Sequence, residues 1–164
     1  MATDSTSGPG GSTSPFNRTA QHDAKRMAIL SQAARLFNHK GSRATTLHDI
    51  AAGLGLSKTS LYYYVKTKEE LIYQCYMAAL DHHHSRLDSI EREYTSPLER
   101  FRAFFLSHFE DRQAAEEGRA PHWAVLLEIA GLPKSHREAV ERRYIELFKR
   151  LREYIRQGIA EGSL

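Results

Sequence analysis

Apolar residues recur along this chain at helical spacing, and glycine, proline and hydroxyl residues break the recurrence into segments. From Gln21 or Asp23 to Lys40, the positions Met27, Leu30, Ala34 and Phe37 mark one face, and Gly41 closes the segment as a C-cap. Thr46 followed by Asp49 is a helix-start signature, in which the hydroxyl takes an orphan backbone N–H and the carboxylate returns to the cap. The short helix it opens carries Leu47, Ile50, Ala51 and Leu54 on one side. Gly53 and Gly55 supply a tight turn, Leu56 anchors it, and Ser57 caps a second short helix with Leu61 and Val65 inward. Two short helices about a glycine-containing turn form the helix-turn-helix pattern.

Thr67-Lys68-Glu69-Glu70 is a second capping box, and the long helix beyond it turns Leu71, Ile72, Cys75, Tyr76, Ala79, Leu80, His83, Leu87, Ile90 and Tyr94 inward. Ser96-Pro97-Leu98-Glu99 combines a cap, an N1 proline and a returning carboxylate, and opens a helix with an apolar face of Leu98, Phe101, Phe104, Phe105 and Phe109. The polar segment Gln113 to Ala120 reads as a loop. Pro121 to Gly131, apolar nearly all round, reads as a short buried helix. Leu132-Pro133 breaks it. Ser135 with Glu138 caps a last long helix, with Val140, Tyr144, Leu147, Phe148, Leu151, Ile155 and Ile159 along one stripe. No repeat period emerges, and the expected class is all-α.

Composition narrows this picture. The 164 residues, 41% hydrophobic and 26% charged, fit a globular protein of one or two compact units. The formal charge of +3 is unevenly spread: residues 17–74 hold nine Lys/Arg against four acids, residues 75–164 fourteen against fifteen. A basic head on a near-neutral body suits a polyanion partner for the head. The single cysteine, Cys75, rules out an internal disulfide and fits a reducing cytoplasm. No stretch approaches the ~20 apolar residues that span a bilayer, so no membrane partner is expected. Residues 1–20, rich in Ser, Thr, Gly and Pro, read as a disordered arm and not a signal peptide.

The second short helix leaves Lys58, Thr59, Ser60, Tyr62, Tyr63 and Tyr64 outside its apolar seam, with no acid among them. Three consecutive tyrosines cannot all face inward on one helix. Donors, hydroxyls and flat rings suit phosphates, base edges and thymine methyls in a major groove, and Lys66 and Lys68 flank the helix end. Phe37 to Gly41 followed by TTLHDIAAGLGLSKTSLYYYVKTKEEL resembles, part by part, the N-terminal domain of TetR-family transcriptional regulators, over roughly Asp23 to His83. That resemblance implies an all-helical homodimer, a three-helix DNA-binding head over residues 21–68, and a helical body over residues 69–164 that binds a small molecule. It implies DNA contacts from Thr45, Thr46, His48, Ser57, Lys58, Thr59, Ser60, Tyr62, Tyr63, Tyr64, Lys66 and Lys68. His48 stands where many relatives carry Arg or Lys, which implies a weaker or pH-dependent contact. Relatives usually continue past the equivalent of Gly162-Ser163-Leu164 into two further helices that build the dimer interface, so the expectation is either a body truncated at its C-terminus or a chain that dimerises differently or poorly.

The expected function is a repressor on double-stranded DNA, released from a palindromic operator by a small, largely apolar effector. Phe101, Phe105, Phe109, Trp123, Leu127, Tyr144 and Phe148 lie on helices that the resemblance places around the effector cavity. His82-His83-His84 fans out by about 100° per residue and cannot converge on one ion, so no metal and no cofactor are expected. No phosphate loop, nucleophile elbow or HExxH helix provides a catalytic constellation. Two rival classes are a ligand-binding or scaffold bundle that no longer meets DNA and a small helical enzyme.

Overall fold

The computed structural model describes residues 15–125 and 129–164, with side chains from residue 19 onward. The helices are α1 (Pro15–Lys40), α2 (Leu47–Gly53), α3 (Lys58–Tyr64), α4 (Lys68–Glu93), α5 (Pro97–Glu116) and α6 (Lys134–Glu161), with a 3₁₀ turn at Ile129–Gly131. No strand occurs among the described residues. The all-α expectation holds.

Local signals explain most of the boundaries. Gly41, at φ 82°, ends α1 and donates its N–H to Phe37. Thr46 and Asp49 form the reciprocal capping box that opens α2, with both hydrogen bonds present. Thr67 caps α4 by accepting from Glu70 N–H, but the Glu70 carboxylate reaches back to the N–H of Lys66 and not to Thr67. Ser96 and Pro97 open α5 as expected.

Four boundaries differ from the pattern along the chain. α1 begins at Pro15 and not at Gln21, so residues 15–20 belong to the helix; the rest of the expected arm lies outside the described residues. α5 continues to Glu116, through the first half of the polar stretch expected to be a loop, because Arg112–Glu116 and Gln113–Glu117 pair one turn apart on its surface. It stops ahead of Gly118, φ 72°, where Arg119 N–H returns to the carbonyl of Ala114. α6 starts directly after Pro133 with no side-chain cap, which leaves Ser135 inside the first turn instead of ahead of it.

The fourth difference is the segment expected to be a short buried helix. Residues 121–125 have no regular secondary structure, and among the described residues of this segment Ile129–Gly131 forms a single turn. The backbone of this segment is satisfied by side chains of α1. Asn38 donates to the Trp123 carbonyl at 2.8 Å and accepts from Val125 N–H at 3.0 Å, as a neighbouring strand would, and Ser31 accepts from His122 N–H. Trp123 is half-buried and Val125 exposed, so the run is not buried on all sides.

One apolar core joins head and body. Ile29, Leu30 and Ala33 of α1, Ile50 of α2, and Leu61 and Val65 at α3 continue through Leu71, Cys75, Leu80 and Leu87 of α4 to Phe104 of α5 and Val140, Leu147 and Leu151 of α6. α4, 26 residues long and so roughly 39 Å, runs the length of that core. A shift at its body end therefore has a rigid route to the head. No described helix is long and apolar enough to cross a membrane.

Candidate nucleic-acid interface

The turn between α2 and α3 closes on itself. Leu54, Gly55 and Leu56 return their N–H groups to Ala51 and Ala52, and Gly55 takes φ 63°, where a side chain would be strained. Leu61 and Val65 then bury fully, fixing which side of α3 faces out. Thr59 and Tyr63, two residues before and after Leu61, lie opposite it on the helix. Tyr63 is 71% exposed. Lys58, Thr59 and Ser60 are exposed beside it, and α3 carries no acid.

The expected contact residues divide into two groups. Lys58 holds its ammonium 5.7 Å over the ring of Tyr62, which leaves both at the surface edge of α3. Ser57 caps α3 by accepting from Ser60 N–H, and the two hydroxyls meet at 2.8 Å. Thr46 and His48 are exposed on the first turn of α2. The Thr46 N–H, together with the Lys40 ammonium, holds the Asp49 carboxyl down to about 2, so the capping carboxylate stays charged. Lys66 is exposed, with its ammonium on the carbonyl of Tyr62 at the end of α3.

Thr45 and Lys68 do not belong to that surface. Thr45 is fully buried, with its hydroxyl donating to the Gly41 carbonyl at 2.8 Å, so the expected DNA contact there is corrected to an internal turn bond. Lys68, half-buried, donates to the Ser42 carbonyl of the same turn. Tyr64 is half-buried against the core. A residue outside the expected set completes the surface: His22 of α1 lies 5.0 Å from the ring of Tyr64 and 6.0 Å from that of Tyr63. The signal for it is Pro15, which, like Pro97 of α5, stands at the first position of its helix and sets His22 well inside α1.

In the body, most of the described residues expected around an effector pair with neighbouring rings. Phe101 pairs with Phe105 at 4.7 Å and Tyr144 with Phe148 at 6.0 Å, while Trp123 stacks on His82 at 4.3 Å. Phe105, Phe109 and Phe148 are exposed, and Leu127 lies outside the described residues. Two hollows run along α1 and α4. One, of about 70 Å³, is bordered by Phe37, Ile72, Cys75 and Ala124; the other, an open cleft of about 340 Å³, by Met27, Met77, His82 and Trp123. The three consecutive histidines turn to different partners: His82 to Asp111 at 2.6 Å, His83 to the ring of His108, and His84 to the carbonyl of Arg143.

A three-helix head that closes a helix-turn-helix over a shared core and turns an acid-free, tyrosine-bearing face to solvent defines a DNA-binding transcriptional regulator. Residues 29–75 match the family model for bacterial regulatory proteins of the tetR family. Over 144 residues the chain is 30% identical to the HTH-type transcriptional repressor KstR2 of Mycolicibacterium smegmatis, covering 88% of this chain and 69% of the relative. The fold is similar to the ketosteroid transcriptional regulator KstR2 of Mycobacterium tuberculosis, with a TM-score of 0.64 at 29% identity over 84% of this chain and 69% of that one. It is similar also to AibR in complex with isovaleryl coenzyme A and operator DNA, with a TM-score of 0.66 at 26% identity over 85% and 75% of the two chains. The chain belongs to the TetR family; it is a regulator and not an enzyme.

Proposed function

We propose that the protein is a cytoplasmic repressor that binds a palindromic operator as a homodimer, with α3 of each copy in successive major grooves about 34–36 Å apart. The observation that carries this reading is the outward face of α3, where Tyr63 is 71% exposed among Lys58, Thr59 and Ser60. Those four side chains sit nearest the base edges. Lys66 and the Thr46 helix start meet phosphates, with His48 beside them. Thr45 and Lys68 support the turn behind that surface.

The body is the effector-binding and dimerising part. Exposed apolar side chains on α5 and α6, among them Phe109, Phe148 and Ile159, supply surface for a second copy. The similarity to a ketosteroid transcriptional regulator supports a small, largely apolar effector, and the similarity to a regulator bound to isovaleryl coenzyme A supports an effector that bears an apolar acyl chain. Such a molecule releases DNA only through its differential affinity for the two head arrangements.

Binding to a duplex selected from a random-sequence pool tests the reading. Tyr63→Ala should weaken it about tenfold or more, while helicity and mass in solution stay unchanged. Unaltered affinity would remove Tyr63 from the contact surface. Failure of the wild-type chain to shift even random duplex at low salt would favour a bundle that no longer meets DNA.

A further inference from the structure

Tyr63 presents a large flat side chain to solvent, and such a side chain samples several rotamers unless something holds it. Two rings flank it. Tyr64, its neighbour on α3, meets it edge-on at 5.2 Å, and His22 of α1 meets it edge-on at 6.0 Å. His22 also lies 5.0 Å from Tyr64 at a 31° tilt, so the three rings form one cluster that ties α1 to the outward face of α3. The cluster is built from a rigid base, because α1 starts at Pro15 and holds His22 within continuous helix. The charged group beside the imidazole is Asp23, 3.6 Å from Nδ1, on the same helix.

We propose that His22 is a positioning residue of the DNA interface, whose ring, together with that of Tyr64, clamps Tyr63 in the orientation that reads base edges. The proposal rests on the reading that the α3 face enters the groove. His22 needs no contact with DNA for this role. Its contribution is to lower the entropy lost when Tyr63 docks, which strengthens binding where Tyr63 discriminates between bases and leaves phosphate attraction untouched.

The test uses the full chain, a duplex selected by it from a random pool, and a scrambled duplex of equal length. His22→Ala should weaken binding to the selected duplex about two- to tenfold, the range of a lost ring contact, and leave the scrambled duplex unchanged. His22→Phe, which keeps a flat ring, should restore the selected-duplex affinity. His22→Gln serves as a second ringless variant should His22→Ala lose helicity. Equal weakening on both duplexes, no weakening, or no rescue by His22→Phe would each overturn the positioning role. Tyr63→Ala run in parallel separates the two ideas. If it costs nothing while the wild-type chain still binds, Tyr63 leaves the contact surface and the clamp falls with it, though the groove reading stands; if it costs and the ringless His22 variants do not, only the clamp falls.

Discussion

The ring of His83 stacks 4.7 Å from that of His108 and lies edge-on to Phe104 at 6.1 Å, wedged between α4 and α5. Burial there pushes its pKa down from 6.5 to about 4, helped by His108, His82 and His84 and opposed by Asp111. A histidine depressed in the fold binds its proton more readily when unfolded. Its stabilising contribution is therefore complete above about pH 6.5 and declines as pH falls toward 4, by up to about 1.4 kcal/mol per pH unit. Urea unfolding at about pH 7.5 and about pH 5 should show that loss, and His83→Leu should flatten the difference. An unchanged pH dependence in the variant would place the acid sensitivity elsewhere. His83 was legible as an inward residue of α4 from spacing alone. Its partner was not, because the stack joins two helices whose relative rotation no local pattern encodes.

Elements were legible where their caps are local. Thr46 with Asp49, Ser57, Thr67, and Ser96 with Pro97 each announce a helix within four residues, and each start stands as expected. The 121–125 segment escaped for the opposite reason. The groups that satisfy its backbone sit on α1, and the Asn38–Trp123 bond spans 85 positions of sequence. Asn38 thus links the body to the head by a route other than α4, and Asn38→Ala removes both of its hydrogen bonds at once. The expected cost is about 1–2 kcal/mol, felt locally because the freed groups reach water. Trp123, the one tryptophan of the chain, reports it directly. Its emission should move to longer wavelength in Asn38→Ala, and amides of residues 122–125 should exchange faster while α2 and α3 keep their protection. Unchanged emission and exchange would show that the stack on His82 holds the segment without Asn38.

On the scale of the whole molecule, the charge divides between a basic head and a near-neutral body, and the apolar surface of the body divides as well. The α6 stripe expected along one side splits in the structure. Val140, Leu147 and Leu151 bury against the core, while Phe148 and Ile159 are 59% and 63% exposed. The periodicity could not separate the two sets, because both are apolar and neighbouring on the helix. If the exposed set meets a second copy, two carboxylates placed there must be desolvated or repel their symmetry mates. Phe148→Glu combined with Ile159→Glu should therefore raise the dimer dissociation constant at least about tenfold, while helicity stays unchanged because neither side chain belongs to the buried core. Sedimentation across about a hundredfold range of concentration measures the first effect. The second readout is DNA: with only one head per particle, selected-duplex affinity should fall toward the half-site value, as the two heads lose their effective concentration for each other. A variant that remains dimeric and binds the operator normally would move the interface away from this face of α6, and would leave Phe148 and Ile159 as apolar surface whose partner lies elsewhere.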